Sequence, residues 1–274
     1  MAYAFAQGQL AYYWLLDEPA EMNIIRTSND LNAHWNTWQQ EDRNVLRVGF
    51  ILAMECTDPI VEPSQAEAWW KDRLRSASLA HFGKSHYAYG TGVCGPLADK
   101  RVELLKAFDR VGMILNPTHT SDPSVYEALD RFRGPVLASH NNFRTLVPGD
   151  RQFFDEQIRL LIDRGAVIGA SLDAWMPVPG WIIGESTPDN LTLCTVVDHI
   201  DHVCQLAGNI LHAGIGTGTG GTNHMPSDFK TTSDLQKLSP ILKERGYCDT
   251  DIDNIFYGNW LRFFRRWLPG ATIS

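Results

Sequence analysis

Residues 111–140, VGMILNPTHTSDPSVYEALDRFRGPVLASH, decide the fold. VGMILNPTH and GPVLASH are short unbroken apolar runs, the pattern of strands buried on both faces. Between them DPSVYEALDRF opens on Asp and Pro and then carries apolar residues at helical spacing. Strand, helix, strand is a parallel βαβ unit, which brings both strand ends to one rim of a sheet. Each strand ends on a histidine, so His119 and His140 are expected to face one pocket. In β/α barrels and open α/β sheets that rim is where chemistry sits.

Working outward, the same alternation continues. VLRVGFILAMEC (45–56) reads as a buried strand ending on Glu55, and SLAHF (78–82) as a short strand carrying His81. GAVIGASLDAW (165–175) and HAGIGTGTGG (212–221) complete six strand candidates. Helices are expected at 4–18, 27–42, 63–77, 98–112, 150–165, 192–208, 231–245 and 249–268, from caps and apolar spacing. No composition break or long linker interrupts the 274 residues. The expectation is a single parallel α/β domain over 1–274, with N-terminal helices within 1–42.

Composition narrows the function. A net charge of −8 with no offsetting basic patch argues against nucleic acid as a partner. No apolar run is long enough to span a bilayer, and MAYAFAQGQLAYYW lacks a basic segment and a cleavage site. Five scattered cysteines without a CxxC pair lead us to expect reduced thiols and a cytoplasmic protein.

Glu55, His81, His119 and His140 stand at the ends of four consecutive strand candidates. A carboxylate and imidazoles on one rim suit a borderline divalent metal such as Zn²⁺; a single such histidine would more often be a core residue. Arg151 reads either as a bidentate clamp for a substrate carboxylate or as a surface arginine at a helix start. His199 and His202 lie three apart on a helix and lack the spacing of HExxH, so one is expected on the sheet and one in solvent. Gly216, Gly218 and Gly221 fit GxGxxG, yet TNHMPSDFK follows where a dinucleotide site needs a helix. A glycine loop that admits close backbone approach is the better reading. Asp173 also ends a strand, where a loop or capping role is the plain alternative. Trp69, Trp70, Trp175, Trp181 and Trp260 read as core and pocket walls.

VGMILNPTHTSD, GPVLASHNNFR, VPGDRQFFDEQIRLLIDRGAVIGASLDAW, VVDHIDHVCQLAG and GNWLRFFRR together resemble the membrane (renal) dipeptidase family, the M19-like metallopeptidases of the amidohydrolase-like barrels. The similarity runs from about residue 45 to 268. It implies a (β/α)₈ TIM-type barrel that hydrolyses dipeptides with two zinc ions. By position, Glu55 matches the carboxylate bridging both metals, and His119 and His140 match the histidines of one metal. His81 matches a histidine that helps hold the substrate or the tetrahedral intermediate. Arg151 matches the arginine that grips the substrate's carboxylate.

Two departures bear on activity. The resemblance implies a His-x-Asp pair on the first barrel strand, and nothing before Glu55 offers one. About two strands are therefore expected to be missing, leaving an incomplete barrel whose open edge is covered by the N-terminal helix or by a second copy of the chain. The last strand should end in an aspartate-bearing turn, but Gly218 and Gly220 stand where the acids belong. Losing a general acid or base costs about 10²–10⁴-fold. Glu55, His119 and His140 remain as a three-ligand, one-zinc site, with Asp173 as a possible compensating acid. Two readings stay open: an impaired zinc dipeptidase acting on dipeptides, and an inactive relative or truncated form that binds metal or a peptide-like ligand.

Overall fold

A computed structural model describes residues 1–270 except 18–21, 41–46, 183, 189–190 and 223. The chain forms two compact units, residues 1–135 with 262–274, and residues 136–261.

In the first unit, helix α1 (Ala2–Asp17) leads to strand β1 (Met22–Ile24), helix α2 (Ser28–Trp38), and strands β2 (Val48–Phe50) and β3 (Ala53–Met54). Helix α3 (Ala66–Lys71), strand β4 (Ser76–Ala77), helix α4 (Arg101–Val111), strand β5 (Ile114–Leu115) and helix α5 (Asp122–Arg131) follow. β1 pairs with β2, and β3–β4–β5 form a second ladder, all parallel. Residues 48–54 form one extended stretch that changes neighbours midway: Phe50 accepts from Ile25 N on one side, and Leu52 accepts from Arg75 N on the other. The expected strand over 45–56 is thus two short ones, with residues 45–46 outside the described set. β1 was not anticipated, because three residues in MNIIR carry too little periodicity to register.

Local chemistry explains the helices. Thr27 Oγ1 accepts from Asp30 N at 3.0 Å while Asp30 accepts from Thr27 N at 3.0 Å, a reciprocal cap that starts α2. α4 stops at Gly112, whose φ of 78° ends the helix in the left-handed region. α4 turns Leu104, Leu105, Ala107 and Phe108 inward, beside the buried Met113, Ile114 and Leu115. α1 meets the layer at its β1–β3 side: the Tyr13 and Phe50 rings are 5.6 Å apart, and Tyr3 stands edge-on to Trp69 at 5.8 Å. No helix among the described residues is long and apolar enough to cross a membrane.

The second unit holds α6 (Asp155–Asp163), β6 (Ile168–Ala170), α7 (Leu193–Ala207), β7 (Ala213–Ile215), α8 (Leu238–Glu244), α9 (Asp249–Asp253) and the start of α10 (Asn259–Trp267). β6 and β7 pair in parallel. The expected strand at 134–140 is reduced to one bridge, Ala138 to Ile168. Its apolar residues are nonetheless buried as read, with Val136 and Ala138 at 0% exposure. α7 closes on left-handed Gly208 and buries Val196, Val197, His199, Ile200 and Val203. Seven short parallel strands among the described residues, set between helices, make the protein α/β.

Candidate functional site

In the first unit, Glu55 follows β3 and projects a half-exposed carboxylate, 52% accessible. Its Oε1 lies 3.4 Å from His119 Nε2 and 3.8 Å from His81 Nε2. The two imidazoles meet edge to face, 4.4 Å between centroids. Phe82 packs 5.2 Å from the His119 ring, which keeps one flank apolar. His119 is buried and holds φ at 69°, in the left-handed region that non-glycine residues enter at a cost of about 1–2 kcal/mol. That strain sits where three potential ligand or substrate groups converge, as expected of a functional position.

Thr91 sets the orientation of His119. Its Oγ1 lies 3.1 Å from Nδ1 and 3.4 Å from the His119 carbonyl oxygen. A hydroxyl has one proton; given to the carbonyl, it leaves Oγ1 to accept Nδ1–H, so Nε2 carries the lone pair toward Glu55. This is the support that ligating histidines ordinarily have. Zinc–nitrogen and zinc–oxygen bonds of about 2.0–2.2 Å in tetrahedral array separate two ligand atoms by roughly 3.4 Å. The Glu55–His119 distance therefore fits a shared divalent cation better than a direct hydrogen bond. Burial pushes the thiol of Cys56, next in sequence, above its usual range, which favours the protonated form.

In the second unit, His140 Nδ1 is 2.8 Å from Ser139 Oγ, and its carbonyl accepts from Arg151 Nη2 at 2.7 Å. Arg151 is 2% exposed, which removes the reading of a surface arginine. Asn142 and Ser171 exchange hydrogen bonds of 3.1 and 2.9 Å, tying the segment after His140 to the end of β6. The glycine run after β7 is explained here. A Cβ on Gly216 would stand 2.0 Å from the Ser139 carbonyl oxygen, so only glycine lets that backbone pass. Gly218 has φ of 66°, and a Cβ there would lie 3.3 Å from Ser171 Oγ and 3.8 Å from His140 Cδ2. Gly218, where the resemblance leads to the expectation of an acid, thus borders His140. Among the described residues no helix opens at Gly221, and the next one is the 3₁₀ turn at Thr232–Lys237.

Asp173 follows β6, and both carboxylate oxygens are engaged: Oδ2 accepts from Trp175 Nε1 at 2.7 Å and Oδ1 from Thr222 Oγ1 at 2.8 Å. His199 is buried, as expected of a core histidine, and burial lowers its pKa to about 3. His202 corrects the expectation of a solvent-facing partner, because its Nε2 is 2.8 Å from Asp155 Oδ1 and its side chain is 16% exposed. Thr91, Ser139, Ser171, Thr222 and His224 escaped the sequence reading. Hydroxyls are common on loops, and only their distances to the histidines and to Asp173 single them out.

A sequence model of the membrane dipeptidase family (Peptidase family M19) matches residues 2–267. Curated relatives include an uncharacterised protein in the pqqA 5′ region of Klebsiella pneumoniae, 25% identical, with 69% of this chain and 71% of that one aligned. An uncharacterised dipeptidase of Schizosaccharomyces pombe is 26% identical over 74% of this chain and 49% of its own length. Dipeptidase 3 of Rattus norvegicus is 26% identical over 66% and 35%. The chain thus spans half or less of the length of the latter two. Among solved structures, a metallopeptidase of Rhodobacter sphaeroides, liganded with a phosphinate mimic of the dipeptide L-Ala-D-Ala, superposes with a TM-score of 0.81 at 17% identity. That match covers 96% of this chain and 74% of the other. An amidohydrolase of Pseudomonas aeruginosa gives 0.80 at 18%, covering 97% and 85%. At these identities the structures establish a shared fold.

Proposed function

Because the chain belongs to the membrane dipeptidase family (Peptidase family M19), we propose that it is a dipeptidase-type hydrolase working with one zinc ion, held by Glu55, His119 and His140. The observation that carries this reading is the 3.4 Å between Glu55 Oε1 and His119 Nε2, with Thr91 holding the imidazole in the ligating tautomer. Three N and O donors with an open fourth position are the pattern of mononuclear catalytic zinc. Such an ion, when bound, polarises the scissile carbonyl and lowers the pKa of water.

The other residues place the substrate. Arg151 binds the free carboxylate of a dipeptide, and His81, 3.8 Å from Glu55, holds the developing oxyanion. A relative with this fold takes a phosphinate dipeptide mimic, which supports a peptide-like ligand here. We assign the frame as a TIM-type barrel. Gly218 favours a second reading, a relative that binds metal or a peptide-like ligand without turning it over, since no carboxylate stands at that position beside His140.

Metal analysis of the purified chain, together with dipeptide hydrolysis, tests both. One zinc per chain, lost together with hydrolysis in the Glu55→Gln/His119→Asn double variant, supports the hydrolase. Zinc and phosphinate binding without hydrolysis supports the second reading. Two zinc ions overturn the one-metal assignment, and no metal overturns the hydrolase and leaves the second reading, as a binder of a peptide-like ligand.

A further inference from the structure

A cavity of about 290 Å³ lies beside Glu55, between α1 and the stretch that carries β3. It exists because β3 ends its ladder. Among the described residues the order is β3–β4–β5, and the wall beyond β3 is a helix rather than another strand. Ala6 and Leu10 come from α1, Leu52 and Met54 from the β3 stretch, and Trp69 and Leu74 close the remaining side. Leu10, Leu52, Trp69 and Leu74 are buried, which gives the cavity an apolar floor. Gln9, Ala53 and Glu55, which also line it, are exposed, so a solute can reach that floor.

This is more than a packing gap. Protein interiors hold few voids larger than a water molecule. An apolar cavity of about 150 Å³ already takes a benzene ring, so the larger space here takes the side chain of a leucine or a phenylalanine. Its walls are braced. Tyr3 of α1 stands edge-on to Trp69 at 5.8 Å, and Tyr13, a further lining residue, meets Phe50 at 5.6 Å. α1 is therefore held toward both of its ends, and a ligand meets a preformed space. The cavity also touches the site already described. Glu55 lines it, and Glu55 Oε1 lies 3.4 Å from His119 Nε2 and 3.8 Å from His81 Nε2. Asp72 is the other charged residue of the lining among the described residues.

We propose that this cavity is a specificity subsite that receives one large apolar side chain of a peptide-like ligand, so that the chain selects dipeptides carrying leucine, phenylalanine or a residue of similar size. One methylene more or less in such a pocket changes kcat/KM by roughly tenfold or more. The preference in turnover rests on the hydrolase reading above, with Glu55 at the reacting centre. The seating of the side chain is read separately, by binding.

Two measurements on the purified chain with zinc added test it. With the methionine methyl groups labelled in carbon-13, a phosphinate dipeptide mimic bearing a leucyl side chain should show a nuclear Overhauser contact between its methyl groups and that of Met54. A bound mimic without that contact overturns the subsite whatever the activity, and so does a mimic that does not bind. In kinetics, X-Gly and Gly-X dipeptides are compared with X as alanine, leucine, phenylalanine or lysine. In one of the two series the leucyl or phenylalanyl substrate should exceed the alanyl one at least tenfold in kcat/KM, on the order set by that pocket effect. Ala6→Leu fills the cavity from α1 while keeping a strong helix former there, and should cut that ratio to about twofold or less with the alanyl substrate nearly unchanged. Equal rates across both series, a preference for lysine drawn by Asp72, or an unchanged ratio in folded Ala6→Leu overturns the subsite and leaves the hydrolase reading standing. Contact at Met54 without hydrolysis of any dipeptide overturns the hydrolase reading and keeps the subsite as that of a peptide-binding relative.

Discussion

Acidification should unfold this protein largely through His199. The imidazole is 1% exposed on α7, and its two nitrogens are matched to the neutral form. Nδ1 accepts from Phe143 N at 3.3 Å, and the Pro177 carbonyl accepts the proton on Nε2. Protonating Nδ1 would bury a charge and break the first bond. Burial, with the nearby His202 adding to it, lowers the pKa from 6.5 to about 3. The sign follows from linkage. Between those values the unfolded chain binds a proton that the folded chain refuses, so stability is full above pH 6.5 and falls as pH drops toward 3. The slope is about 1.4 kcal/mol per pH unit, or roughly 2 kcal/mol by pH 5 and about 4 by pH 3.5. Against a total of about 5–15 kcal/mol, that is enough to decide where acid unfolding occurs. At Asp155 burial acts to raise the pKa, but the hydrogen bonds from His202 and Thr145 and the charges of His202 and Arg159 together outweigh it, so this carboxyl gives way only below the usual carboxylate range. The assay is urea denaturation at half-unit steps from pH 7.5 to 4, comparing the wild type with His199→Asn. The asparagine oxygen preserves an acceptor for Phe143 N but binds no proton. The variant should be weaker by about 1–3 kcal/mol at pH 7.5 and nearly flat to pH 5. A wild-type stability that does not change between pH 7 and 5, or a variant that keeps the full slope, refutes the reasoning.

Four further outcomes follow. Thr91→Val should weaken zinc binding by about 10–100-fold in a chelator competition, because His119 loses the contact that sets its tautomer. Arg151→Lys should lower kcat/KM for a dipeptide by about 10–100-fold while sparing the corresponding dipeptide amide, which lacks the carboxylate. Gly218→Asp should cost about 1–2 kcal/mol in melting experiments for its left-handed φ; on the hydrolase reading it should raise kcat for a dipeptide by about 10²-fold, and an unchanged kcat speaks against a proton-transfer role at that position. Gly216→Ala should destabilise by about 3 kcal/mol or more in chemical denaturation, as the added carbon meets the Ser139 carbonyl.

Much of the site was legible because its residues stand at the ends of apolar runs. Glu55, His81 and His119 were picked out by that placement, and the structure brings these three together. Arg151 was ambiguous in sequence, since a guanidinium near a helix start reads the same whether buried or wet; its 2% exposure removed the surface alternative. The pairing of His202 with Asp155 was missed because the two lie 47 residues apart, and no local pattern reports such a contact. Strand lengths were overread, since apolar runs mark burial and not the extent of a hydrogen-bonded ladder.

The sequence by itself determined the alternation of apolar runs and helices, the chemistry-bearing groups at the run ends, and the glycines where an acid was expected. These are local properties, set by side-chain type and spacing along the chain. Only the tertiary structure decided where each polar group spends its hydrogen bonds: Thr91 on His119, Arg151 on the His140 carbonyl, and Asp173 on Thr222 rather than on the pocket. Those choices depend on which loops folding brings within 3 Å of one another, and spacing along the polymer does not encode that distance.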